Sequence, residues 1–68
     1  MNLAKYYGKR VEIKAINGLT YIGDVNEYFE PEDNDNGQES IIVDTVPERQ
    51  PIEFNENHIK TISIIDKS

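Results

Sequence analysis

The residues of this chain that could support nucleophilic catalysis are a single histidine and the serines. His58 lies in a polar turn beside Glu56, and Ser40 or Ser63 would have to supply the nucleophile. A Ser-His-acid triad needs an imidazole held by an orienting carboxylate, and its serine usually lies in a recognisable motif. Neither serine lies in such a motif, and an isolated histidine in a turn is usually solvated. We therefore expect that the protein is not an enzyme.

A second source of chemistry is the acidic segment of residues 30–39, which contains several carboxylates and no apolar residue. Freely exposed carboxylates are ionised at neutral pH, so they cannot serve as general acids. When Gly37 is aligned with the invariant glycine of an EF-hand loop, Val43 falls at the last position, where a bidentate glutamate is required. The segment therefore predicts a solvated, self-repelling loop, and we expect neither a metal nor a cofactor.

Charge is distributed unevenly along the sequence. Between residues 27 and 39 there are six acidic and no basic residues, so the formal net charge of -6 arises in this segment. Basic side chains cluster near the start and form a candidate RNA-binding patch, because Lys and Arg make the contacts to phosphates. The patch consists of Lys5, Lys9, Arg10 and Lys14. The other interpretation is that these side chains are only solvated.

Length and composition limit the class of protein. A chain of 68 residues forms one domain with a thin core, and the absence of cysteine excludes a disulfide or a cysteine-ligated zinc. Self-association is then the remaining way to reinforce a small fold. No apolar run resembles a signal peptide or a membrane span. We expect a cytoplasmic protein without a membrane partner.

The apolar residues predict an all-β fold. Ten Ile and four Val against two Leu favour strands, since residues branched at Cβ pack well on a pleated surface. Leu3, Tyr6 and Tyr7 have helical spacing and predict a short helix that ends at Gly8. Beyond it, runs with alternating polarity predict five antiparallel strands at residues 10–15, 19–29, 41–46, 52–54 and 59–65.

Two glycines predict how the strands are arranged. Asn17-Gly18 between two alternating runs is typical of a hairpin with a two-residue type I′ turn. Gly23 lies inside the second strand, where glycine usually marks a sharp bend or a close backbone approach. Apolar residues become adjacent at Tyr28-Phe29, where a bulge or bend is expected. Five short, bent strands of this kind usually curl into a small barrel.

These features resemble the Sm and Sm-like family, to which the bacterial host-factor RNA chaperone also belongs. Residues 11–29 resemble the first Sm motif, with Gly18 and Gly23 in place of its two glycines, and the motif continues at residues 40–44 after the acidic insertion. Residues 52–65 resemble the second motif. The hydrophobic positions of the two motifs correspond to Val25, Phe54, Ile59 and Ile62.

The resemblance implies a strongly bent, five-stranded Sm-like barrel over residues 1–68, with an acidic insertion at 30–39. It also implies a ring in which the fourth strand of one subunit pairs with the fifth strand of the next. The interface residues would be Ile52, Phe54, Ile62 and Ile64, and the residues at the positions of the family's uridine pocket would be Phe29, Ser40, Asn55 and Glu56.

The sequence thus predicts a non-catalytic Sm-like module that assembles with itself and is associated with RNA. Asn55-Glu56 replaces the Arg-Gly pair of the family motif, so we expect RNA binding to be weak. The alternative is an acidic adaptor that makes no RNA contact and binds a basic protein partner through residues 30–39.

Overall fold

Alternating apolar and polar residues form five antiparallel strands in a computed structural model, which describes residues 1–65. On β1 the apolar residues Val11, Ile13 and Ala15 are buried, whereas Lys14 is exposed. The predicted all-β class and its five strands are confirmed. The strands are β1, Arg10–Ala15; β2, Thr20–Phe29; β3, Ser40–Thr45; β4, Gln50–Asn55; and β5, Ile59–Ile64.

The short N-terminal helix is only a single 3₁₀ turn, Ala4–Tyr6. The amide of Tyr6 donates to the carbonyl of Leu3 at 3.1 Å, which brings both buried side chains onto one side of the turn. Gly8 then adopts a φ of +77° and redirects the chain into β1. Two further 3₁₀ turns cover Pro31–Asp33 and Glu56–His58. Within residues 1–65, no helix is long and apolar enough to cross a membrane.

The strands form one sheet in the order β4-β3-β2-β1-β5. The ladder from β1 to β5 runs from the pair Val11 and Ile64 to the pair Ala15 and Ile59. β4 and β5 follow each other in sequence but occupy opposite edges of the sheet. The closed barrel expected from the sequence is therefore not formed within residues 1–65, because no ladder joins β4 to β5 across the two edges.

The hairpin between β1 and β2 exists, but its loop is longer than predicted. The residues that flank the loop are Ala15 and Leu19, and the amide of Ala15 donates to the carbonyl of Leu19 at 2.9 Å. Gly18 has a φ of +88°, whereas Asn17 has a negative φ. A type I′ turn needs positive φ at both central residues. The connection is therefore a three-residue loop with glycine in the left-handed position, which shifts the strand register by one residue.

Gly23 allows β2 to pass very close to β3, as its position in the sequence suggested. A Cβ atom built on Gly23 would lie 2.7 Å from the Cγ1 of Val43 and closer still to the backbone of Asp44. The bulge lies further on, where the β2–β3 register shifts between Val25 and Glu27 rather than at the predicted position. Together these features bend β2 around the core.

The core packs against the sheet and includes the N-terminal turn. Its fully buried side chains come from that turn and from β1, β2 and β3, and Phe54 of β4 closes it at one end. The Phe54 ring meets the ring of Tyr21 edge-on, with centroids 5.2 Å apart. The fully buried apolar residues are Leu3, Val11, Ile13, Val25, Ile41 and Val43.

Replacement of Gly23 tests whether the bend depends on this close approach. We expect Gly23→Val to lower the free energy of unfolding by about 2–4 kcal/mol, because the side chain would push β3 away from β2. Urea denaturation measures the change. Thr20→Val is the control, since it places the same side chain at an exposed position of the same strand. Equal stability of Gly23→Val and the parent would show that β3 is not constrained at this point.

Candidate functional site

The acidic segment is attached to the sheet by a chain of hydrogen bonds. The side-chain amide of Asn34 donates to the carbonyl of Gln38 at 2.6 Å and to Oγ of Ser40 at 3.1 Å. Ser40 is fully buried at the start of β3, and its hydroxyl donates to Oε2 of Glu53 on β4 at 2.9 Å. This chain links the loop to β3 and β4, so the loop has a defined position beside the β4 edge.

The four residues predicted for a uridine pocket lie close together in the fold. Phe29 pairs with Ser40, and Ser40 pairs with Asn55, so these three form one row across β2, β3 and β4. Glu56 follows directly in the turn after β4. The hydroxyl of Ser40 is already engaged with the protein, and the side chain of Asn55 lines a neighbouring cleft.

Glu56 has a structural role that the sequence did not reveal. Its amide donates to the carbonyl of Glu39 at 3.0 Å, and its Oε2 accepts from the amide of Glu39 at 2.8 Å. Oε1 of Glu56 lies 3.5 Å from the terminal amine of Met1, and Oε1 of Glu39 accepts from the amide of Leu3 at 2.7 Å. Glu56 therefore joins the end of the acidic loop to the N-terminal segment.

Two adjoining clefts lie beside this region. The first has a volume of about 340 Å³ and a polar lining, and the second has about 330 Å³ and borders the aromatic pair at the end of the core. Glu53 and His58 line both. The first cleft is also lined by Asn34, Asp35, Asn36 and Asn55, and the second by Ala15, Ile16, Asn17, Tyr21 and Phe54.

The carboxylates and the imidazole of the first cleft do not converge on one point. Among residues 1–65, no group of three His, Asp or Glu side chains is placed to hold a metal ion. Asp35, Glu53 and His58 all line the cleft, so two carboxylates and an imidazole are available there as hydrogen-bonding groups.

Several carboxylates lie close together at the start of the acidic loop. The pKa of Glu30 is raised by a hydrogen bond with Glu32 and further by the charges of Glu32 and Asp33. The pKa of Tyr28 is raised by desolvation and then by the charge and the hydrogen bond of Glu39. Each neighbouring carboxylate therefore makes the next negative charge less favourable.

The predicted basic patch loses one of its four charges to an ion pair. Nε and Nη2 of Arg10 donate to the two carboxylate oxygens of Asp24 at 2.9 and 3.0 Å. This bond raises the pKa of Arg10, so the guanidinium stays charged and bound to Asp24. Lys5 lies over the ring of Tyr6, with Nζ 5.3 Å from the ring centroid. Lys9 and Lys14 are exposed.

The same ion pair belongs to a network that sequence reasoning missed. Nη1 of Arg49 donates to Asp24 at 3.0 Å and to Asp44 at 3.2 Å. Arg49 lies in the turn between β3 and β4 and has a φ of +59°. The pair of Arg10 and Asp24 would have been visible with the correct register of the hairpin, because the two residues face each other in the β1–β2 ladder.

The predicted interface residues differ in their exposure. Phe54 is buried in the core, and Ile52 and Ile62 are partly buried against it. Ile64 is 53% exposed at the edge of the sheet. Of the four, Ile64 therefore offers the largest fraction of its surface to a partner.

Comparisons of the chain with protein-family models, with characterised proteins and with solved structures find no match.

The carboxylates of Glu30 and Glu32 predict a pH effect. Because the folded state raises the pKa of Glu30, it binds that proton more tightly than the unfolded chain, and this contribution to stability is lost as the pH rises through the raised pKa. In Glu32→Gln the pKa of Glu30 should fall towards its ordinary value. A carboxyl NMR titration measures it, with Glu48→Gln as control. An unchanged Glu30 titration would show that the two side chains do not interact.

Proposed function

We propose that this protein is a non-catalytic Sm-like binding module that assembles with itself through the open edges of its sheet. The observation that supports this proposal is the strand order, which leaves β4 at one edge and β5 at the other. Within the described residues 1–65, each edge strand has a row of backbone groups without a partner strand, and such edges readily pair with another chain. The two edges are different, so head-to-tail pairing would generate a ring or a filament.

The side chains of β5 favour the same interpretation. Ile64 is largely exposed and Ile62 is only half-buried, and both lie on a strand at the edge of the sheet. Apolar side chains on an exposed edge invite association unless they are covered. On β4, Pro51 cannot donate a backbone hydrogen bond, but it lies near the strand's start, which leaves most of that edge able to pair.

The Sm-like character of the module rests on three features taken together. These are the strand order, the close approach of β2 and β3 at Gly23, and the positions of the apolar residues that resemble the two Sm motifs. In the family that the chain resembles, the fourth strand pairs with the fifth strand of the next subunit. The same pairing would cover Ile62 and Ile64 here.

An RNA partner fits the charges less well than self-assembly does. The cleft next to Asn55 contains the carboxylates of Asp35 and Glu53, and in the described part of the chain no Lys or Arg lines it. Arg10 is held by Asp24. Since binding to phosphates depends on free Lys and Arg side chains, we expect weak, salt-sensitive RNA binding.

The alternative function is an acidic adaptor for a basic protein. The observation that favours it is the attachment of the loop of residues 30–39 to the sheet, because Asn34 fixes the loop to Ser40. A loop held in this way presents its carboxylates at less conformational cost than a free chain would.

Self-assembly is tested by Ile64→Lys. The charge should prevent pairing at the β5 edge and reduce the mass measured by light scattering at high micromolar concentration to that of a monomer. Leu19→Lys is the matched control, because Leu19 is 56% exposed and belongs to neither edge strand, so the charge should not change the mass. A parent protein that is monomeric under these conditions would contradict the proposal.

The RNA prediction is tested by neutralising the acidic loop. Glu30→Gln, Glu32→Gln, Asp33→Asn and Asp35→Asn together change the formal net charge from -6 to -2. The affinity for oligo-uridine should rise, and it should fall steeply with added salt because counterions are released on binding. Fluorescence anisotropy at two salt concentrations measures it. Tight, salt-insensitive RNA binding by the parent protein would contradict this interpretation.

A further inference from the structure

We propose that the two adjoining clefts form a binding site for a peptide segment in which an arginine is followed by an apolar residue. The inference rests on the proposed role as a binding module, but it does not require self-assembly. The guanidinium would occupy the polar cleft beside Glu53, and the apolar side chain would occupy the cleft beside Tyr21 and Phe54.

The negative charge of the polar cleft favours a cationic ligand. Asp35 and Glu53 line it, and among residues 1–65 no Lys or Arg does. The protein as a whole carries a formal net charge of -6, which attracts basic partners and repels phosphates. A nucleotide would have to bring its phosphate next to these carboxylates, whereas a basic side chain would be attracted to them.

The hydrogen-bonding capacity of the cleft favours a guanidinium over a metal ion or a compact ammonium. Among residues 1–65, the carboxylate of Glu53 accepts one hydrogen bond, from Ser40 to Oε2, so Oε1 retains its capacity to accept. The buried Ser40 also holds that carboxylate in a fixed orientation. A carboxylate held in one orientation suits the planar, directional fork of donors in arginine better than it suits a point charge.

The second cleft explains why the occupant is a peptide rather than an isolated cation. Its lining is largely apolar, and Ile16 at its rim is 63% exposed. The two clefts have volumes of about 340 and 330 Å³ and share the wall formed by Glu53 and His58. A single basic side chain would leave the apolar cleft empty, whereas a neighbouring apolar side chain would fill it and bury the exposed surface of Ile16.

The test is an NMR titration of the labelled protein with an end-capped Gly-Arg-Leu-Gly peptide. Amide shifts should saturate and should be concentrated around the two clefts. Replacing the arginine of the peptide with citrulline keeps the shape and removes the charge, and it should weaken binding roughly fivefold to tenfold, as expected for a charge-assisted hydrogen bond. Equal binding of the citrulline peptide would overturn the proposal.

Variants of the protein separate the two clefts. Glu53→Gln should weaken binding of the arginine peptide. Asp35→Asn should do the same, and it replaces the first variant if Glu53→Gln folds poorly. Glu48→Gln in the β3–β4 turn is the control and should not change the affinity. Ile16→Ser should weaken binding of Gly-Arg-Leu-Gly but not of Gly-Arg-Gly-Gly. Unchanged affinity in both acidic variants would overturn the assignment of the polar cleft.

Two further probes decide the class of ligand. Spermidine that binds as tightly as the peptide would show that the site takes a free polyamine, and oligo-uridine that shifts the same amides would assign the clefts to RNA; either result would overturn the peptide proposal. Light scattering on the same samples reports the oligomeric state separately. A monomer that binds the peptide would contradict self-assembly while supporting this site.

Discussion

The close approach of β2 and β3 at Gly23 is the constraint on which the rest of the structure depends. β2 is ten residues long and pairs with β1 along its first half and with β3 along its second half. Because Gly23 has no side chain, both ladders can meet at this residue without separating the strands. The bend that results brings Val25, Val43 and Val11 into one core and leaves β4 and β5 as the two edges.

Polar contacts then fix the segments that the thin core does not hold. Asp24 and Asp44 lie opposite each other on β2 and β3, and Arg49 bridges them, which offsets the repulsion between two adjacent carboxylates. At the other end of the same ladder, buried Ser40 connects Asn34 to Glu53. The clefts lie beside this second set of contacts, so their shape depends on hydrogen bonds from β3 rather than on the loop alone.

Much of the fold could be predicted from the sequence, because the alternation of apolar residues directly reports which face of a strand is buried. The strands predicted at 10–15 and 59–65 differ from the observed strands by at most one residue at either end. The hairpin register could not be predicted, since Asn17-Gly18 suits both a two-residue turn and a three-residue loop. A shift of one residue changes every cross-strand pair, so the pair of Arg10 and Asp24 was missed.

The candidate site was less predictable than the fold, since it depends on contacts between segments that are distant in sequence. Phe29, Ser40 and Asn55 were placed together through a family resemblance, and the strand register does bring them into one row. Nothing in the sequence indicated that Ser40 would be buried and orient Glu53, or that Glu56 would bind the end of the acidic loop. The contacts of a single polar residue do not produce a repeating pattern in the sequence, so its partners cannot be predicted in the way that a buried strand face can.

The position of β5 also affects the order in which the strands can assemble during folding. Within residues 1–65, three of the four ladders join consecutive strands, whereas the ladder between β1 and β5 pairs Val11 with Ile64 and encloses nearly the whole chain. Loop-closure entropy makes this the least favourable ladder to form early, so the other strands can assemble before β5 docks. Until it docks, β1 is itself an open edge, and such edges readily pair with a strand of another molecule. The topology therefore offers a route by which copies of the chain could exchange β5.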